Sequence, residues 1–286
     1  MTKSNKSRDN DIEACADVVA PSPRGQSGVC SSPEVVALIQ KVVAELIGTY
    51  FLIFTGCGSV VVDKIYGSVS FPGVSVVWGL IVMVMIYSVG HISGAHLNPA
   101  VTITFAIFRR FPFKQASDSP SPSSSVPLYL AAQILGSILA SATLCLLFNV
   151  TKESYFGTVP VGSVVQSLVI EIIISFLLMF VISGVATDNR SIGELAGIAV
   201  GMTITLNVLI AGPVSGASMN PARSIGPAVM VHIYQNLWVY IVGPLVGTIL
   251  GGFAYNLIRF TDKPLRELTK TTSFLESISR NNHPAI

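Results

Sequence analysis

The chain has 286 residues, 51% hydrophobic and 11% charged, with a formal net charge of +2 and a mean hydropathy of +0.66. Soluble domains carry about 25% charged residues, so this is the composition of a polytopic membrane protein. The small basic excess argues orientation and gives no support to nucleic-acid binding. Cys15, Cys30, Cys57 and Cys145 are scattered without CxxC spacing, so neither a metal site nor a disulfide framework is indicated. With no nucleophile–base pair, phosphate loop or metal cluster in view, neither an enzyme nor a cofactor is expected.

Residues 1–35 are polar, contain no apolar core and are read as a disordered cytosolic tail without a cleavable signal. Six apolar runs then approach the ~20 residues of a membrane helix: Val42–Val62, Val74–His91, Leu128–Phe148, Val164–Val185, Glu194–Gly212 and Leu237–Ile258. Two further segments, Pro99–Phe108 and Pro221–Val231, are too short to span, and each begins with Asn-Pro. Asn is a strong N-cap and Pro suits the first helical position, so both are predicted to be half-helices entered from a re-entrant loop. The expected fold is an all-α membrane protein with six transmembrane helices and two re-entrant half-helices.

The chain repeats itself. Glu45 to Phe54 aligns with Glu171 to Phe180, and SGAHLNPAV (Ser93–Val101) with SGASMNPAR (Ser215–Arg223). Ala132, Gly136 and Ala140 answer Gly243, Gly247 and Gly251, a small-xxx-small face that lets helices pack closely. Three spans per half make the repeat inverted, with one copy at about 36–150 and the other at about 160–260 of a channel-like unit, 36–260. Basic residues concentrate in the tails and even-numbered connections, which places both termini in the cytosol. Asp118–Ser125 is a low-complexity insertion read as a flexible loop, and residues 261–286 form a C-terminal tail.

Irregular backbone in the bilayer core survives only where protein buries it or a water-filled cavity receives it. A half-helix presents unpaired N–H groups and a positive dipole end at its N-terminus. Two such ends meeting in mid-membrane disfavour cations and protons, and the Asn98 and Asn220 carboxamides can donate to the oxygen of a passing molecule. Gly94, Ala95 and His96, with Gly216, Ala217 and Ser218, can expose carbonyls as a line of acceptors. Such a path suits small neutral hydroxylated molecules. In this reading Pro99, Ala100, Pro221 and Ala222 complete the two pore motifs.

With HISGAHLNPAVT, ELAGIAVGM, AGPVSGASMNPARS and FTDKPLRELTK in view, the chain resembles the major intrinsic protein (aquaporin) family, and within it the plant nodulin-type intrinsic proteins. The resemblance implies a homotetramer with one pore per subunit, most readily in the plasma membrane. It also implies a selectivity filter at Trp78, Val208, Ala217 and Arg223. Water-selective relatives resemble this filter with Phe and His at the first two positions, so Trp78 and Val208 imply a wider, amphipathic opening. Ser224 and Ala228 instead resemble water-selective members. The implied cargo is water plus glycerol-like polyols, urea, undissociated lactic acid and metalloid hydroxides such as arsenous acid. Ala217 stands where some relatives carry a mercury-reactive Cys, so block by mercury at that position is not expected, although Cys57 or Cys145 could still react.

Several residues have a second reading. Trp78 and Val208 also suit lipid-facing or core positions, and Arg223 also suits a pairing with a loop carbonyl. Glu45 and Glu171 are acidic groups of the kind a proton-coupled secondary transporter needs, although their symmetric placement favours a structural role holding the loops. His91 and His96 allow a pH gate, with loop-holding the favoured role. In the tail, Leu268, Lys270 and Ser273 resemble a calcium-dependent protein kinase site, and a tail-mediated scaffold is a further alternative. Asn149-Val-Thr151 is a formal glycosylation sequon placed against the membrane.

Overall fold

A computed structural model describes residues 33–108, 122–188 and 190–259. The N-terminal tail up to residue 32, Asp118 to Ser121 of the insertion, and Ser273 lie outside the described residues. Eight α-helices follow in order: α1 (Pro33–Tyr66), α2 (Phe71–Ser93), α3 (Pro99–Ile107), α4 (Pro122–Leu147), α5 (Val164–Thr187), α6 (Ala196–Ser215), α7 (Pro221–Val231) and α8 (Val239–Ile258), with a 3₁₀ turn at Gly193–Leu195 before α6. Among the described residues, six of these helices are long and apolar enough to cross a membrane, and α3 and α7 are the two short ones.

Local chemistry explains the boundaries. Ser163 accepts from the Gln166 N–H while the Gln166 side chain accepts from the Ser163 N–H, a capping box that starts α5. Glu34 and Lys64 match opposite ends of the α1 dipole. Helix α1 begins at Pro33, inside the expected tail and well before the apolar run, because Gln and Lys propagate a helix without being membrane-soluble. Similarly, α4 begins at Pro122, within the stretch expected to be a flexible loop. By hydropathy the fifth run ends at Gly212, yet α6 continues through Pro213 to Ser215. A proline only three residues from the end removes one N–H bond and leaves the final turn intact, and Gly216, at φ 82°, closes the helix.

The packing reproduces the repeat. Helix α1 lies against α4 and α2 just as α5 lies against α8 and α6, and α2 meets α6 across the two halves. Each short helix also packs on the other half, α3 on α8 and α7 on α4. The small residues allow these approaches. A Cβ on Gly136 would stand 2.6 Å from the Leu46 carbonyl oxygen, and one on Gly247 or Gly251 would collide with the carbonyls of Ile172 or Phe176. Large apolar side chains face outward, including Leu80 and Val84 on α2 and Met202 and Leu206 on α6.

Where α5 ends, Arg190 donates Nε and Nη2 hydrogen bonds to the Asp188 carboxylate at 2.9 and 2.7 Å, and the Tyr255 hydroxyl donates at 3.0 Å. Arg259 Nε stands 3.7 Å away. The Arg190 hydrogen bonds hold the Asp188 carboxyl well below the usual carboxylate range. Because that pKa is depressed in the folded state, the tie is complete above the ordinary aspartate value of about 4 and is lost as pH falls further.

Two outcomes follow from the packing. Gly247→Val must displace helix backbone, so its thermal midpoint in detergent should fall by an amount corresponding to about 1–3 kcal/mol or more, whereas Gly67→Ala meets open space and should lose only the smaller cost of a left-handed φ. Asp188→Asn should accelerate proteolysis between α5 and α6 at neutral pH, and the wild type should approach that rate only below about pH 4.

Candidate functional site

Both short helices begin the same way. Asn98 has extended backbone and its side-chain oxygen accepts from the Ala100 N–H at 2.9 Å, and Asn220 accepts from the N–H groups of Ala222 at 2.9 Å and Arg223 at 3.4 Å. Pro99 and Pro221 take the first helical positions. Each Asn then reaches across to the other half. Asn98 Nδ2 donates to the Met219 carbonyl at 2.8 Å and Asn220 Nδ2 to the Leu97 carbonyl at 2.8 Å. A carboxamide carries two N–H hydrogens, so one per Asn is used to cross-link the loops. The second hydrogen of each amide is left for the oxygen of a passing molecule, the use read from the sequence.

The loops are strained in register. Gly94, Ala95 and Leu97 have φ values of 90°, 46° and 51°, and Gly216, Ala217 and Met219 have 82°, 48° and 54°. A left-handed non-glycine residue costs about 1–2 kcal/mol, so something must hold these turns. Glu45 accepts from Ser93 Oγ at 2.6 Å, the His96 N–H at 2.9 Å, the Leu97 N–H at 2.7 Å and Gln133 Nε2 at 2.7 Å. Glu171 accepts from Ser215 Oγ at 2.6 Å, the Ser218 N–H at 2.8 Å and the Met219 N–H at 2.9 Å. Both carboxylates are wholly buried. Tyr129 and Tyr240 add matching hydrogen bonds to the carbonyls of Ser93 and Ser215.

A cavity of about 110 Å³ runs past both loops. Asn98 and Asn220 border it midway, Ala186 and Ala196 toward one end and Trp78, Val208, Ala217 and Arg223 toward the other. Thus the four residues expected at one constriction share one lining. Gly94, Ala95, His96 and Ser218 also border the cavity, while Gly216 does not. It caps α6 with its N–H on the Gly212 carbonyl and its Cα against Thr158. The His96 ring contacts Thr102 Oγ1 at 3.1 Å and packs on Phe105 and Tyr129.

The Arg223 guanidinium carbon lies 5.1 Å from the centre of the Trp78 ring, a cation–π distance. Arg223 Nη1 donates to the Phe156 carbonyl at 3.4 Å, and its buried Nε has no hydrogen-bond partner among the described residues. Both the loop-carbonyl pairing and the lumen position anticipated for Arg223 therefore occur together.

Five contributors escaped sequence reasoning: Gln133, Tyr129, Tyr240, Phe156 and Thr158. The tyrosines stand at the same offset as the aligned small residues of α4 and α8, so the repeat carried a signal for them. Gln133 breaks the repeat, being answered by Pro244. The segment holding Phe156 and Thr158 has neither an apolar run nor a motif. Its contacts, including Thr158 Oγ1 to Ser224 Oγ at 2.6 Å, exist only in three dimensions.

Residues 32–255 match the family model described as major intrinsic protein. The chain belongs to the major intrinsic protein family. It is 71% identical over 250 residues to a probable aquaporin NIP-type of Nicotiana alata, covering 87% of this chain and 89% of that one. It is 56% identical over 242 residues to Nodulin-26 of Glycine max, covering 84% and 86%. Among solved structures, the aquaglyceroporin from Plasmodium falciparum superposes with a TM-score of 0.66 at 24% identity, over 81% of this chain and all of that one, a likeness of fold. A multi-pass integral membrane protein of this family is the setting in which the cavity must be read.

Glu171→Gln would turn an amide NH₂ toward the Met219 N–H or the Ser218 N–H. Losing one charge-assisted hydrogen bond and orphaning a buried donor should cost about 1.5–3 kcal/mol. It should appear as a lower thermal midpoint in detergent, and an unchanged midpoint would show that the carboxylate does not hold the loop.

Proposed function

We propose that this chain forms a passive pore for water and small uncharged solutes, from glycerol-sized polyols to urea, undissociated lactic acid and arsenous acid, and that it excludes ions and protons. The observation that carries the proposal is the meeting of two half-helix N-termini on one cavity, each capped by an Asn cross-linked to the opposite loop. Their dipole ends, together worth about one positive charge, repel cations where hydration is thinnest. Along the rest of the lining, apolar groups such as Ile86, Ile182 and Val200 offer no site at which a solute is held tightly.

Selection is assigned to Trp78, Val208, Ala217 and Arg223. Arg223 supplies donors to a hydroxyl or carbonyl oxygen, Trp78 an apolar wall for the carbon skeleton, and Val208 and Ala217 the width. A proton-coupled transporter is not favoured. Glu45 and Glu171 are occupied by loop donors, and neither borders the cavity. Among the described lining residues, Arg223 is the one permanently charged side chain.

The outward-facing apolar surfaces of α2 and α6 suit association as a homotetramer within a bilayer. The distribution of Lys and Arg supports cytosolic termini, and the setting assigned is the plasma membrane, with another endomembrane as the alternative. Regulation by a calcium-dependent protein kinase at Ser273, in the tail beyond the channel body of residues 36–260, rests on the Leu268 and Lys270 spacing.

Stopped-flow measurements on proteoliposomes test the reading. Wild type should conduct water and glycerol without dependence on a proton gradient. Val208→His, which narrows the opening and adds a polar group, should reduce glycerol flux at least about tenfold while retaining water flux. Uptake that collapses with the gradient would replace the channel by the transporter, and intact glycerol flux in Val208→His would refute the filter assignment.

A further inference from the structure

We infer that Gly56, a buried residue of α1 that does not border the cavity, sets the width of the solute-selecting constriction by seating the Trp78 indole. The inference rests on the assignment of Trp78 to that constriction. A Cβ built on Gly56 would fall deep inside contact distance of Trp78 Cε3, Cζ3 and Cη2, almost equally far from all three. Near-equal distances to three consecutive ring atoms place that Cβ over the face of the six-membered ring, since a point beyond the edge would be much nearer to the middle atom. The indole therefore lies flat on the bare backbone of α1.

A rigid aromatic plane cannot yield to an added methyl by bending, as a flexible chain end could. It must shift or rotate as a whole, and away from Gly56 lie Arg223 and the cavity that Trp78, Val208 and Arg223 line together. The opposite half shows the alternative arrangement. By the alignments of Glu45 with Glu171 and Asn98 with Asn220, the positions answering Gly56 and Trp78 hold Ile182 and Val200, both of which border the cavity. Where the α2-type position is small, the α1-type position carries a side chain. Where it is Trp, only glycine stands behind it. A single absent methyl group thus converts a Trp that would obstruct the pore into a wall of it.

Four proteins compared by stopped flow with water, glycerol and erythritol test this: wild type, Gly56→Ala, Trp78→Val and the double variant. Gly56→Ala should lower the glycerol-to-water permeability ratio about tenfold. Trp78→Val should raise the erythritol-to-glycerol ratio, and the double variant should match Trp78→Val because the group that Gly56 seats is gone. An unchanged ratio in Gly56→Ala, or a reduction that persists in the double variant, overturns the role of Gly56. If Trp78→Val leaves the solute cut-off unmoved, it is the filter assignment that fails. Should Gly56→Ala not reach the membrane, the double variant decides: its recovery supports the clash, and its failure assigns Gly56 to helix packing instead.

Discussion

The fold depends on two buried carboxylates that hold irregular backbone where no water can. Each re-entrant loop breaks helical hydrogen bonding in mid-membrane and bends through left-handed residues that carry a side chain, Ala95 and Leu97 in one half and Ala217 and Met219 in the other. Glu45 and Glu171 answer with charge-assisted hydrogen bonds to consecutive N–H groups of those loops. Each such bond is worth about 1.5–3 kcal/mol, against about 1–2 kcal/mol for each left-handed residue. Placing a carboxylate in an apolar interior is severe unless its oxygens are satisfied, and the loop donors satisfy them. Each feature makes the other tolerable.

From that brace the pore geometry follows. Loops held at fixed depth present Asn98 and Asn220 to one another, and the two amide–carbonyl cross-links lock the halves together at their common centre. Both helix N-termini, with their positive dipole ends, thereby meet on the same cavity. Farther along, the same loop carries Arg223 to the Trp78 ring. In the proposed function, electrostatic exclusion at the centre and size selection nearer one end both follow from one loop conformation used twice, with different side chains grafted on it. The halves differ in side chains such as His96 against Ser218, Val101 against Arg223, Gln133 against Pro244 and Trp78 against Val200.

Much of this was legible in the residues. Apolar runs of spanning length, short segments opening on Asn-Pro, and a sequence that aligns with itself were enough for six spans, two half-helices and an inverted pairing. Glu45 and Glu171 were identifiable as loop holders because they recur at matched positions. Helix ends were less legible: α1 starts before its apolar run and α6 passes through Gly212-Pro213, since hydropathy reports lipid contact and says little about where backbone hydrogen bonding stops. Gln133 and Phe156 were invisible because the first departs from the repeat and the second acts through its carbonyl, which every residue possesses.

The sequence by itself determined the class of fold, the two pore motifs and the acidic pair, because these follow from hydropathy, capping preference and repetition, all of which are local or periodic. Only the tertiary structure decided which hydrogens of Asn98 and Asn220 are already engaged, what Arg223 touches, and why Trp78 can lie where it does. Those depend on distances between residues far apart in the chain, such as Gly56 and Trp78 or Phe156 and Arg223. A width set by the absence of one methyl group behind an indole has no counterpart in composition or spacing.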